Sequence, residues 1–64
     1  VKAFYGGYFC QATPMTKGEF AKESGFGNPE RNDPGYKIVI PSYSEDASWC
    51  PADFFDKFFK ELTQ

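Results

Sequence analysis

The stretch Pro51-Ala-Asp-Phe-Phe-Asp-Lys-Phe-Phe, followed by Lys60, Glu61 and Leu62, constrains this chain more than any other segment. Proline fits the first turn of a helix, where its missing N–H costs nothing. Counting 100° per residue, Phe54, Phe55, Phe58, Phe59 and Leu62 fall within an arc of roughly 140°, and Asp53, Asp56, Lys57, Lys60 and Glu61 take the other side. A helix with such a face must lie on something. The stripe is wider than the ~100° that a core-facing helix needs, so one edge is available to a partner or a second subunit. With Pro51 in the first turn, Cys50 takes the N-cap position and Asp53 suits the positive end of the helix dipole.

The rest of the chain must supply the surface for that helix, and it is short. Sixty-four residues make one domain, residues 1–64. A chain of this size buries only about 60% of the surface its unfolded form exposes. Aliphatic residues are scarce: one Leu, two Ile and two Val stand against eight Phe, four Tyr and one Trp. Each aromatic buries roughly 150–250 Å², so a few rings can do the work of many aliphatics. A core built from Phe is the plain reading of this composition, and an aromatic face kept for a partner is the other.

Local signals place the elements. Gly6-Gly7 supplies positive φ at both central positions of a two-residue turn, which predicts a hairpin of residues 1–5 and 8–13. In "PMTKGEFAKESGF", Thr16 and Glu19 have the spacing of a capping box, with Met15 and Phe20 as the flanking staple. Gly25 stops the helix in a left-handed conformation, with Phe26 set to fold back on Phe20 or Ala21. This predicts a short helix over residues 17–24. "GNPERNDPGY" is a loop rich in turn residues. "YKIVIP" reads as a strand with Tyr36, Ile38 and Ile40 on one face, paired as a hairpin with residues 47–50. The expected fold is α+β: a small antiparallel sheet of two hairpins with two short helices on one face, in the order β-β-α-β-β-α.

Several chemistries are excluded or disfavoured. The chain has no histidine, which removes Cys-His and Ser-His nucleophile pairs and most zinc sites. Cys10 and Cys50 match no metal-ligand spacing; a disulfide and a pair of reduced, buried thiols both remain open. Cys50 at a helix N-terminus is the best reactive-thiol candidate, but Asp53 opposes its ionisation, and a cap is the simpler reading. Glu19 is explained by capping, and Glu45 and Asp46 by a turn, so no carboxylate pair is expected to be catalytic. Neither an enzyme, a cofactor nor a metal is expected. Seven basic residues are scattered from Lys2 to Lys60 against nine acidic ones, which disfavours direct nucleic-acid binding. No apolar run is long enough for a membrane span. The chain opens at Val1 and not at methionine, which leaves room for a preceding segment.

The order "ATPMTKGEF … NDPGYKIVIP … SWCPADFFDKFF" resembles a family of small, mostly uncharacterised tailed-bacteriophage proteins. Their shared pattern is a Pro-Met-Thr-basic-Gly-Glu-aromatic opening, an acidic Pro-containing loop before a Gly-aromatic strand, and Ser-Trp-Ser-Pro at the start of an amphipathic helix. The likeness covers about residues 12–59. Cys50 stands where that family has Ser, Phe59 where it has Tyr, and Phe58 is bulkier than its counterpart. The resemblance implies a phage or prophage accessory protein acting in the host cytoplasm, and it transfers no catalytic residue.

Three functional expectations follow. In the first, the protein binds and modulates or inhibits a host factor through aromatic anchors, which are enriched at interface hot spots. Trp49, Tyr43, Phe55 and Phe59 are the candidates, with Phe54 and Phe58 assigned to the core. The second is a small-ligand binder, in oligomeric form, that sequesters a nucleotide-derived signal using Arg31 and Tyr36. The third is a purely structural or assembly role.

Overall fold

In the computed structural model, which describes residues 1–62, the chain is an α+β domain. Five antiparallel strands and two helices follow the order β1 (Lys2–Tyr5), β2 (Tyr8–Pro14), α1 (Lys17–Ser24), β3 (Gly35–Ile40), β4 (Ser44–Pro51), α2 (Ala52–Phe58) and β5 (Lys60–Glu61). The sheet order is β4-β3-β2-β1-β5. The first four strands therefore form a meander, and the chain then crosses from the β4 edge to the far edge through α2.

The local devices read from the sequence are in place. Gly6 and Gly7 have φ of 57° and 89° and turn β1 into β2, with Tyr5 opposite Tyr8. The Thr16 hydroxyl accepts from the Glu19 N–H at 3.1 Å, and the Thr16 N–H donates to Glu19 Oε1 at 2.9 Å. These bonds hold the Glu19 carboxyl below its ordinary value. Gly25 closes α1 with φ 81°, its N–H donating to the Ala21 carbonyl. The expected fold-back of Phe26 does not form: its side chain is 82% exposed.

The first two N–H groups of α1 are satisfied from outside the helix. Lys17 donates to the Asp33 carbonyl at 2.9 Å and Gly18 to the Arg31 carbonyl at 2.8 Å. The loop before β3 thus clasps the helix start. A Cβ on Gly18 would stand 2.3 Å from the Arg31 carbonyl oxygen, so the clasp requires glycine there.

The strand pleat sorts the two faces of the sheet. Ala3, Cys10, Ala12, Ile38 and Cys50 point to one side, where with Phe55 of α2 they form the core. Lys37 and Trp49 face each other across β3 and β4 on the other side. There Lys37 forms an ion pair with Glu23 of α1, and Trp49 bonds the segment leading into that helix. The two helices therefore divide between the faces and do not share one, because alternate residues of β3 and β4 serve one helix each.

Two expectations about the C-terminal segment are corrected. Cys50 is not the N-cap of α2. It is the penultimate residue of β4, buried in the core, and its Sγ lies 3.3 Å from the Pro51 carbonyl. Pro51 occupies the N-cap position in extended conformation and makes no side-chain cap. The helix also ends a turn early. Phe59 is extended, and Lys60 and Glu61 pair with Phe4 and Ala3. The Leu62 N–H donates to the Lys2 carbonyl at 2.9 Å. The free edge of β1 offers unpaired backbone groups, and satisfying them displaces another helical turn.

Candidate functional site

The α2 segment is seven residues, about 10 Å long, and it covers only part of the face it lies on. Phe55 fills the space over β3 and is 2% exposed, its ring stacked on Tyr36 at 4.0 Å. Phe59 stacks between Phe55 at 4.9 Å and Tyr5 at 4.5 Å. Tyr5 in turn approaches Phe54 at 6.3 Å, and Phe54 packs on Phe58 at 4.5 Å. A single chain of rings thus runs from the core to the surface. At its outer end Phe54 and Phe58 are 42% and 53% exposed.

Beside this ridge lies an apolar groove of about 350 Å³. Ile38, Ile40 and Ser48 form its floor, and Tyr5, Phe54 and Phe59 form the wall on the helix side. An adjoining hollow of about 240 Å³ shares that floor and is bounded by Tyr43, Ser44 and Asp46. Tyr43, at the β3–β4 turn, is 78% exposed and stands 6.5 Å from Tyr8 at the neighbouring turn. No charged side chain lines the larger hollow, and Asp46 is the one that borders the other.

The aromatic residues singled out from the sequence occupy different situations. Tyr43 is free. Phe59 is half-buried against the core. Phe55 belongs to the core itself, and the assignments are reversed for its neighbours, since Phe54 and Phe58 are the exposed pair. The reason is the entry angle of α2: with Phe55 seated on Tyr36, residues 54 and 58 fall toward the open side. Trp49 borders the groove from its place in β4, but its ring lies on the α1 face of the sheet and is engaged from several directions. Its Nε1–H donates to the Met15 carbonyl at 2.8 Å, and the Lys17 ammonium sits 5.7 Å from its ring centroid. A Cβ on Gly35 would come within 2.4 Å of the indole. Tyr5, Tyr8, Ile40 and Ser48 carry much of the site, and the sequence reading passed over them. The signal was present: Ala3 and Tyr5 alternate on the same face as Tyr8, Cys10 and Ala12.

The pair proposed for a phosphate-bearing ligand is not assembled. The Arg31 guanidinium makes two bonds to the Asp33 carboxylate, at 2.8 and 2.7 Å. Its loop closes on α1, whereas Tyr36 lies beneath α2. The pairing holds the Asp33 carboxyl below its ordinary value and raises that of Arg31.

Both cysteines are free and buried. Cys10 and Cys50 lie on β2 and β4 with β3 between them. That is about 10 Å across the sheet, beyond the ~7 Å limit on Cα separation for a disulfide. Burial raises both thiols above their ordinary value, the opposite of what a nucleophile needs. Among the described residues no group of three His, Cys, Asp or Glu could hold a metal ion, and no helix is long and apolar enough to cross a membrane.

No family model, curated protein or solved structure matches this chain.

Proposed function

We propose that this chain is a non-catalytic accessory protein, of the phage or prophage kind, that binds and modulates a host factor in the host cytoplasm through its aromatic surface. A polymerase, a nuclease or a defence complex is the type of target meant. One observation carries the reading: the strip Tyr43, Tyr8, Tyr5, Phe54 and Phe58 stays exposed beside an apolar groove, in a chain whose core needs every ring it can bury. Exposed aromatic anchors around a desolvated hollow are the form that interface hot spots take. The raised thiols and the cap bonds of Glu19 weigh against Cys10, Cys50 or Glu19 serving as a poised nucleophile or base. The ligand-sequestering alternative loses its cation to the Arg31–Asp33 pair.

The test is affinity capture from host lysate with the unaltered chain and with the double variant Phe54→Asp, Tyr43→Asp, both at exposed positions. The reading expects one stoichiometric partner, retained by the unaltered chain, lost by the variant, and binding again when both components are purified. No such partner, or one held equally by both proteins, would overturn it.

A further inference from the structure

The same strip bears on what the free protein does with itself. Its surface is 4716 Å² for a 7.3 kDa chain. A compact monomer of that mass exposes about 4,200 Å², so this fold leaves roughly 500 Å² more in water than its size requires. The shortfall is in the core. The buried hydrophobic residues are Ala3, Cys10, Ala12, Ala21, Ile38, Cys50 and Phe55, and Phe55 is the one aromatic ring among them. Domains this small usually rely on disulfides, a metal or a subunit contact. The cysteines here are unpaired, and no metal cluster exists among the described residues.

We propose that the free chain is a symmetric dimer in which the Phe54–Phe58 ridge of each copy fills the Ile38–Ile40–Ser48 groove of the other. The occupant is a second copy because one face carries both halves of the fit. A convex aromatic ridge lies directly beside a concave apolar groove, and a two-fold axis between them makes such a face self-complementary. The area suits a weak contact. The exposed parts of Tyr5, Tyr8, Tyr43, Phe54 and Phe58 amount to roughly 400–600 Å² at 150–250 Å² per ring. The upper end of that range meets the low end of the ~600–1,000 Å² per subunit that a specific interface buries, and the floor adds little because Ile38 is 3% exposed. The electrostatics do not oppose it, because no charged side chain lines the larger groove and no lone charge is desolvated there. The inference goes beyond the host-factor reading. A host partner that uses this strip must displace the second copy.

Sedimentation equilibrium of the purified chain, from about 1 μM to about 300 μM to bracket a weak interface of this size, tests the proposal. The expected result is a mass rising to twice 7.3 kDa. Phe58→Asp on the ridge and Ser48→Arg on the groove floor, both at exposed positions, should each weaken association at least about tenfold. Phe26→Asp, after α1 on the other face of the sheet, should leave it unchanged. Circular dichroism establishes that each variant is folded. A monomer throughout the range overturns the proposal, whether or not the groove takes up an apolar dye or a foreign peptide. A dimer that persists in folded Phe58→Asp and Ser48→Arg also overturns it. These outcomes separate the two readings: a monomer that captures a host partner sinks only the dimer, and a dimer that captures nothing sinks only the host factor.

Discussion

Trp49 and the Phe54–Phe58 ridge are both aromatic and sit on opposite faces of one small sheet, yet only the first is largely covered. Trp49 lies against the backbone of Gly35, donates its one polar hydrogen to Met15 and has Lys17 over its ring. Phe54 packs on Phe58 and approaches Tyr5 and Phe59, and the two rings stay 42% and 53% exposed. The difference does not come from hydrophobicity, since phenylalanine is the more apolar residue. It comes from what stands opposite. The α1 side brings a clasp of backbone carbonyls and a glycine strand start that fit the indole. The α2 side brings seven helical residues that cannot roof the sheet. An aromatic ring is buried where the backbone around it leaves a matching space, so ring exposure in this protein marks unfilled architecture.

The comparison can be broken most severely at Phe55, where the open face is anchored. Phe55→Ala should cost about 3–5 kcal/mol, a large part of the total for a small domain, and chemical denaturation should show most of the chain unfolded in dilute buffer. A loss below about 1 kcal/mol would mean that the ring is not seated on Tyr36. Gly35→Ala attacks the closed face. The new Cβ would stand 2.3 Å from the Cys50 carbonyl oxygen and 2.4 Å from the indole, and overpacking of this kind costs about 1–3 kcal/mol. Emission from Trp49, the single tryptophan, should shift to the red as its seat opens.

Cys50→Ser separates two accounts by sign. At an N-cap, serine would be neutral or stabilising. In the core, a hydroxyl replacing a thiol costs about 1–2 kcal/mol, and that loss in a thermal melt is the expected outcome. The same burial makes both thiols slow toward a disulfide-exchange reagent at neutral pH, with two thiols per chain appearing on denaturation. Because burial raises the folded values, the thiol contribution is complete below the ordinary value of 9.0 and is lost as pH rises through the folded values.

Thr16→Ala should cost about 1 kcal/mol and lower helical ellipticity. The Glu19 half of the box depends on pH in the opposite sense. Its folded value is depressed, so its contribution is present above the ordinary 4.5 and is lost as pH falls through the lowered value. In Thr16→Ala that acid-dependent step should shrink. Phe58→Ala is the smallest change, within about 0.5 kcal/mol at concentrations where sedimentation finds a monomer. A larger loss there would show the ridge to be core after all and erase the contrast between the faces.

Much of the fold was legible because much of it is local. Gly6-Gly7 fixes a turn from its own two dihedrals. Thr16 and Glu19 close a ring of bonds within four residues, and Gly25 stops a helix by its own φ. None of these depends on a residue far along the chain, so the sequence alone determined both the first hairpin and the limits of α1. The α+β class followed from these devices together with the alternation in β3.

What only the tertiary structure decided lies in the segment that looked clearest. Periodicity put Phe54, Phe55, Phe58 and Phe59 on one stripe, and it cannot say which quarter of the stripe faces down. Tyr36 decides that by stacking on Phe55. The end of the helix was set by the open backbone edge of β1, which draws Lys60 and Glu61 into a fifth strand. The burial of Cys50 was set by the strand register that places it opposite Tyr36. These outcomes depend on pairings between residues far apart in sequence, where free edges and unfilled space compete with local preference. The site inherits that dependence: its rings are written in the sequence, and their exposure is set by how short α2 is against the sheet it crosses.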